Sequence, residues 1–445
     1  MARHWGLATT LLFAALLAAC GVERLSPSAS PASPTPTRGA QPAAATLVSA
    51  RGQERELLAA VPPAQVTPTP VNEGVRIWWP DELYPPEGDP AREVLEDQFK
   101  NFTQTYTTIE LEVRRKRATG LGGILPTLRT ASPVAPGALP DLTLMRRADM
   151  ITAANEGLIV PLEDWVPEDI AGNNLLPGVR PLGEINGVLY GVPYTLNVTH
   201  SAYRPAAFSA SPVSFADVLN AGTPYLFPAG ATPVSYTVLL QYRAAGGRLV
   251  DESGAATLDR EPLLEVLTYY AAGTAEGVFT PALVSYTRYD DYWNQFVTGD
   301  TNLVGVDTVT FLRRRSSVPS ALPVAIPTLD GAPITALDGW MWVVTTHNPA
   351  HRQRANVALA WMMRIGGQSL FTEAFSVLPT QTRALRLWDD RGYADFAQDL
   401  LTTAVLVPES QRNSSAALAL QEAIIAVLEG KAPDEAAESV LARFE

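Results

Sequence analysis

The sequence predicts an α/β protein with two globular domains, and three observations lead to this prediction. Short apolar runs suited to buried strands alternate with longer segments of helical spacing. The composition is 47% hydrophobic and 18% charged, which is typical of a folded chain. Roughly 370 residues follow the last proline-rich stretch, more than the ~250–300 at which a single core usually divides.

The first half of the folded part supplies strands and helices in alternation. "VRIWW" is a short apolar run suited to a buried strand, and residues 91–106 carry apolar side chains at helical spacing. "IELEV" alternates strictly, which predicts a strand over residues 109–113 with one wet face. "LPDLTLM" predicts a further strand, residues 149–156 a helix closed by Gly157, and "GVLYGVPY" a glycine-punctuated hairpin.

The second half continues in the same style. Asp259 is placed as the N-cap of a helix that carries Leu263, Val266, Leu267 and Tyr270 on one face. Two amphipathic stretches end the chain, and we find no internal sequence repeat. Their apolar positions are Leu420, Ile424, Val427 and Leu428 in the first and Ala437, Val440, Leu441 and Phe444 in the second.

The chain begins with a segment typical of a secretory signal. Arg3 and His4 precede an apolar run over residues 7–19 that ends in small side chains. This run is shorter than the about 20 apolar residues that a membrane span needs. We therefore predict a signal peptide over residues 1–19 and no transmembrane helix.

Cys20 is the only cysteine of the chain and follows that run directly. The ending "LAAC" resembles the bacterial lipobox, in which the signal is cut before the cysteine and the thiol then carries a diacylglycerol. The resemblance implies lipidation of Cys20 and an extracytoplasmic protein anchored to the outer face of the cytoplasmic membrane. The alternative is an ordinary signal with an incidental cysteine.

Residues 20–74 are predicted to form a lipidated tether. "SPSASPASPTPT" and "PPAQVTPTP" are rich in Ser, Pro, Thr and Ala and lack the apolar density needed to fold. The folded part should therefore start near Val75.

Charge and motif content exclude several classes of function. The net charge of −13 argues against a nucleic-acid partner, and "RRKR" at 114–117 and "RRR" at 313–315 fit solvated faces. Neither Gly-x-Ser-x-Gly nor His-Glu-x-x-His occurs, and only His200, His347 and His351 follow the signal. We predict no catalytic residue of these kinds, no metal site and no cofactor.

Several segments, in order, resemble the family 1 extracellular solute-binding proteins, the maltose-binding-protein-like sugar receptors of ABC importers. They include "PDLTLMRRADMITAANEGLIVPLEDW", "INGVLYGVPY", "LQYRAAGGRLVDESG", "YWNQFVTGDTNLVGVDT" and "FSVLPTQTRAL". The resemblance runs from about Val75 to Glu445. The sequence departs from the family pattern at "THSAYRPAAF" and at Met145, where many members carry Trp. The identity of the ligand therefore cannot be inferred from a familiar member.

The resemblance implies a two-lobed periplasmic-binding-protein type II fold with an interlobe ligand cleft. The expected N-terminal lobe comprises residues 75–197 and 319–368, and the C-terminal lobe residues 198–318 and 369–445. It also implies a monomer that closes on a solute by hinge motion and then docks on the transmembrane subunits of an ABC permease.

Sugar recognition needs aromatic platforms for C–H faces and polar groups for hydroxyls. Candidates were chosen at strand ends and in the blocks that carry the resemblance; for each the alternative is core packing or a surface ion pair. The predicted ligand-binding residues are Trp79, Asp81, Arg146, Arg147, Tyr194, Tyr236, Trp293, Asp307 and Trp340.

Two other functions stay open from the sequence. A secreted carbohydrate-active hydrolase would need only a pair of carboxylates, and Asp and Glu are too common to exclude one. The same fold could instead bind a polyamine, an iron chelate or a phosphate ester. The adjacent Tyr269 and Tyr270 could serve an iron chelate, although Tyr270 falls on an apolar helix face.

Overall fold

A computed structural model of the chain describes residues 74–162, 166–171 and 174–444. These residues fall within one compact unit, Arg51–Glu445. The predicted signal peptide, Cys20 and the tether up to residue 73 lie outside the described residues.

The described part alternates strands and helices, as the sequence predicts. The strands β1 to β12 are, in order, Val75–Pro80, Leu111–Lys116, Leu142–Arg146, Glu184–Ile185, Val188–Leu189, Gly191–Tyr203, Tyr225–Leu226, Leu303–Asp307, Leu322–Val324, Thr335–Val344, Leu378–Pro379 and Ala404–Val405.

The α-helices cover the faces of these strands. Helices α1 to α16 are, in order, Pro90–Thr105, Ile124–Ala131, Arg147–Asn155, Glu168–Ala171, Phe215–Ala221, Tyr236–Ala244, Arg260–Ala275, Asp290–Thr298, Thr308–Arg314, Pro349–Met362, Ile365–Phe375, Thr382–Leu385, Arg391–Leu401, Glu409–Arg412, Ser415–Leu428 and Pro433–Leu441.

Ten strands form one mixed sheet whose main order is β2-β1-β3-β10-β6-β8-β7. Strands β2, β1 and β3 run parallel, whereas β10 runs antiparallel to both β3 and β6. The remaining pair, β4 and β5, forms a hairpin whose turn holds Asn186 and Gly187 at positive φ. The hairpin predicted for "GVLYGVPY" thus lies earlier in the chain, because Gly191 begins β6.

Strand β6 lies between β10 and β8 and joins two parts of the sheet. Its first half pairs with β10 and β11, and its second half pairs with β8 and β9. Strands β6 and β10 therefore connect the two halves of the molecule, and β11 joins them at the same place.

Two segments were each predicted in one lobe but pack against elements of the other lobe. Strand β9 pairs with the C-terminal half of β6, and Thr328 bridges Ser214, although residues 319–334 were assigned to the N-terminal lobe. On α11, Phe371 lies against Trp79, although residues 369–375 were assigned to the C-terminal lobe. We therefore propose that both crossings lie later in the chain, where β10 and β11 join the sheet.

Two predicted details differ locally. The strand predicted over residues 109–113 begins at Leu111 and extends through the basic residues to Lys116, because it pairs residue by residue with β1. Asp259 precedes α7 in extended conformation but makes no side-chain cap, because its carboxylate binds the backbone N–H and guanidinium of Arg248.

Two hydrophobic clusters form the core. One surrounds Trp79 and Trp342 between the sheet and helices α1, α10 and α11. The other covers the opposite sheet face and extends through the C-terminal lobe. Within the described ranges, no helix has the length and apolar character required to cross a bilayer.

Candidate functional site

Three of the predicted residues lie at the carboxyl ends of strands. Arg146 ends β3, Asp307 ends β8, and Asp81 follows β1 directly. Ligands of open α/β sheets usually bind at such strand ends. The described contacts of each residue decide whether it remains a candidate.

Arg146 joins β3 to β10. Its guanidinium forms an ion pair with Asp338 and lies 4.7 Å from the ring centroid of Trp340. The strand register pairs Trp340 with Arg146, which brings these side chains together. Trp340 is only 5% exposed, so its ring is mostly covered by Arg146 and by the core.

Tyr236 and Arg412 contribute from the C-terminal lobe. The guanidinium of Arg412 lies 4.0 Å from the ring centroid of Tyr236, the first residue of α6. Burial raises the pKa of the Tyr236 phenol, and the Asp338 carboxylate raises this pKa further. Arg412 and Arg146 lower it, so charged groups of both lobes act on one hydroxyl. We call Arg146, Tyr236, Asp338, Trp340 and Arg412 the interlobe cluster.

Tyr289 and Asp307 lie beside this cluster. Burial raises the pKa of Tyr289, and the Asp307 carboxylate and Tyr236 contribute in the same direction. Asp307 caps α9 by accepting a hydrogen bond from the backbone N–H of Thr310 at 2.8 Å, and it accepts another from Asn197 at 2.8 Å. The cap and the amide therefore fix the direction of the Asp307 carboxylate.

Acidic side chains extend the cluster. Burial raises the pKa of Asp149 on α3, and the Arg146 guanidinium opposes this rise. The carboxylates of Glu409 and Glu82 raise the Asp149 pKa further, and both of these side chains are exposed. Glu409 belongs to α14 and Glu82 follows β1, so acidic groups also approach from both lobes.

Three of the predicted aromatic platforms belong to the core instead. Trp79 and Tyr194 are fully buried and pack edge to face with ring centroids 6.1 Å apart. Trp293 is 4% exposed and donates its indole N–H to Ser317. None presents a ring face on which a sugar could stack in this conformation, so we do not retain them as candidates.

Two predicted polar residues have structural partners. Arg147 donates three hydrogen bonds to the backbone carbonyls of Pro181, Leu182 and Glu184, and burial lowers its pKa. Asp81, directly after β1, pairs with Arg115 of β2 at 3.2 Å. Arg147 therefore holds a loop of the N-terminal lobe, whereas Asp81 stays at the strand ends as a half-buried polar group.

Sequence reasoning missed Arg412 as a member of the site. It belongs to a short helix within "PESQRNSS", and no motif there points to a ligand. Its proximity to Tyr236 depends on long-range packing. Tyr289 and Asp338 were not among the predicted ligand-binding residues either.

A cavity of about 600 Å³ lies away from the interlobe cluster. Its wall includes Val75 and Asp141, so it opens at the amino-terminal ends of β1 and β3. A second cavity of about 350 Å³ lies beside Gly247 at the far end of α6. Among the side chains that the structure describes, no three His, Cys, Asp or Glu residues are grouped so as to hold a metal ion.

The sequence model of one protein family, described as bacterial extracellular solute-binding protein, matches residues 98–399. The chain belongs to this family. The predicted resemblance is thus confirmed, and the family places the protein outside the cytoplasm. A search of curated protein sequences finds no match.

Solved structures of solute-binding proteins show the same fold. The acarbose-binding GacH receptor of Streptomyces glaucescens is 18% identical, with 84% of this chain and 98% of that chain covered and a TM-score of 0.59. The cyclic α-maltosyl-1,6-maltose binding protein of Arthrobacter globiformis is 17% identical, with 84% and 99% covered and a TM-score of 0.64. The sugar-binding protein MalE of Xanthomonas citri is 18% identical, with 83% and 96% covered and a TM-score of 0.63.

These similarities confirm the two-lobed periplasmic-binding-protein fold for this solute-binding protein. Family and fold are those of non-enzymatic solute-binding proteins.

Proposed function

We propose that this solute-binding protein captures a sugar or oligosaccharide between its lobes, closes on it and delivers it to an ABC importer. The observation that carries the proposal is the interlobe cluster. It combines two aromatic rings, two guanidinium groups and the Asp338 carboxylate, and both lobes contribute to it.

The chemistry of the interlobe cluster suits a carbohydrate. A pyranose presents an apolar C–H face and a ring of hydroxyls, so it needs a stacking ring together with donors and acceptors at its edge. Tyr236 is half-buried and is the ring of the cluster best suited to stacking. Arg146 and Asp338 supply charged donors and acceptors next to it, and charge-assisted hydrogen bonds are the stronger ones.

The structure reduces the number of predicted residues that we propose as ligand contacts. We propose that Tyr236, Arg146 and Asp307 touch the sugar, and that Trp340 acts by supporting the Arg146 guanidinium. Asp81 is proposed as a contact at the edge of the cleft.

The ligands named for similar structures support a carbohydrate. One neighbour is a receptor in complex with acarbose, another binds a cyclic maltosyl-maltose, and a third holds mannobiose. We propose the same chemical class for this chain, without a particular sugar.

The finer statements about location and partners are proposals as well. Lipidation of Cys20 would hold the receptor near the membrane, where a monomer could dock on the transmembrane subunits of its permease. Two acyl chains give a stable anchor, whereas one acyl chain gives marginal binding.

Calorimetric titration with maltotriose and with mannobiose tests the proposal. We expect saturable one-to-one binding of at least one of them, and about tenfold or greater loss of affinity in Tyr236→Leu. Arg443→Gln is the matched control, because this exposed arginine lies outside the interlobe cluster and pairs with Glu422 of α15. Release of reducing ends from either sugar would contradict the receptor function and favour a hydrolase.

A further inference from the structure

The support of Tyr236 comes from the last third of the chain. Arg412 ends α14 and forms three hydrogen bonds with the turn before Tyr236. Its Nε donates to the carbonyl of Val234 at 2.9 Å, and a terminal nitrogen donates to the carbonyl of Pro233 at 3.2 Å. In return, the backbone N–H of Val234 donates to the carbonyl of Arg412 at 3.3 Å.

A second side chain fixes the same turn from behind. Gln421 on α15 is buried and donates to the carbonyls of Ala229 and Ala231 at 2.7 and 2.9 Å. The turn that leads into α6 is therefore held at both ends by residues of the C-terminal helices. The Arg412 guanidinium is then placed against one face of the Tyr236 ring.

We propose that Arg412 is a positioning residue for ligand binding: it fixes the Tyr236 ring from one face, so that a sugar stacks only on the opposite face. This inference rests on the proposed function. A planar guanidinium is suited to this task, because it can bind carbonyl oxygens at its edge while its face lies on an aromatic ring.

The arrangement has an energetic consequence for binding. A ring that is already immobilised loses little rotational freedom when a ligand stacks on it, so the affinity benefits from this pre-organisation. The guanidinium also occupies ring surface that a second sugar unit could otherwise use. Arg412 therefore limits the ligand to one stacked unit at Tyr236.

Fluorine NMR of the protein with 3-fluorotyrosine at position 236 tests the positioning without any ligand. We expect separate signals for the two ring orientations in the parent chain and one averaged signal in Arg412→Gln. Arg412→Lys keeps the charge but cannot bind both carbonyls while lying flat, so we expect intermediate behaviour. Unchanged ring exchange in Arg412→Gln would overturn the proposal.

Calorimetric titration with maltotriose and mannobiose is the second part of the test and measures the effect of Arg412 on sugar binding. We expect Arg412→Gln to weaken binding about tenfold in the parent chain and to have no further effect in the Tyr236→Leu background. The proposal would be overturned if the affinity losses of Arg412→Gln and Tyr236→Leu added up in the double variant. It would also be overturned if Arg412→Gln kept full affinity although its Tyr236 ring is mobile. Arg443→Gln again serves as the control. If neither sugar binds the parent chain, the proposed function fails, and the NMR arm still decides whether Arg412 positions Tyr236.

Discussion

His200 is a buried imidazole in the second half of β6, the strand that connects the lobes. Its Nε2 lies 3.1 Å from the Tyr393 hydroxyl, and its Nδ1 lies 2.9 Å from the carbonyl of Ser201. Burial lowers the pKa of His200 to about 4, although the Ser201 carbonyl and the Asp307 carboxylate oppose the shift. The native protein therefore holds this imidazole neutral well below the usual pKa of about 6.5.

The first prediction follows from this lowered pKa. Below pH 6.5 the unfolded chain binds a proton at His200 that the folded chain does not, so stability falls until the pH reaches about 4. We expect a loss on the order of 2–3 kcal/mol between pH 7 and pH 4.5 from this residue. Urea unfolding at both pH values measures it, and a pH dependence as steep in His200→Asn as in the parent chain would contradict it.

The second prediction compares two tryptophans of β10. Trp342 is fully buried beside Trp79, whereas Trp340 carries the Arg146 guanidinium on its ring. Trp342→Ala and Trp340→Ala should both lower the unfolding free energy by about 3–5 kcal/mol. Only Trp340→Ala should also weaken sugar binding, by about 1–3 kcal/mol, because Arg146 loses its support. Thermal melts measure the loss of stability, and calorimetric titration measures the loss of sugar affinity. If Trp340→Ala and Trp342→Ala bind the sugar equally well, Trp340 does not belong to the site.

Sequence patterns pointed to part of the interlobe cluster, but they also selected residues that do not belong to it. Strand ends and the family resemblance pointed to Arg146, Trp340 and Tyr236, which the structure brings together. Trp79 and Tyr194 satisfied the same criteria, yet the structure buries them. Both rings pack against Phe371, which comes from a helix distant in sequence, and a local pattern does not contain this information.

At the scale of elements, β10 and β6 approach so closely that one position requires glycine. A Cβ on Gly339 would lie 2.2 Å from the carbonyl oxygen of Thr195 on β6. Gly339 lies inside β10 rather than in a turn. The glycine permits close strand contact where the chain crosses between lobes.

The third prediction uses this contact. Gly339→Ala should lower the unfolding free energy by about 1–3 kcal/mol, because either strand must shift to relieve the overlap. Gly137→Ala is the matched control, since a Cβ there meets no atom within 4 Å. Urea unfolding of both variants measures the difference, and equal stabilities would show that the strands can separate without cost.

Helices and strands with strong periodicity were predictable, and their pairing was not. The helix predicted over residues 91–106 is observed at Pro90–Thr105, and both C-terminal helices are present. Placing the lobe boundaries, predicted at residues 319 and 368, requires knowing which strand pairs with the C-terminal half of β6. Local sequence patterns do not contain this information. Such pairing is set by contacts between residues that are far apart in sequence.

At the scale of the whole molecule, the lipid anchor is a prediction about the chain before the described residues. Cys20→Ser should prevent lipidation, so the variant should leave the detergent phase or keep its signal peptide. Phase partition and intact mass of the purified protein measure this outcome. A variant that stays in the detergent phase at the mature mass would contradict the lipobox interpretation.

The most direct test of the receptor function is the distance between the lobes. Spin labels on Leu121→Cys and Ser410→Cys, in a Cys20→Ser background, report one exposed position on each lobe. Because a ligand that contacts both lobes favours the closed state, we expect electron–electron double resonance to show a shorter distance at saturating sugar. A distance distribution that stays unchanged while calorimetry shows full binding would contradict capture by closure.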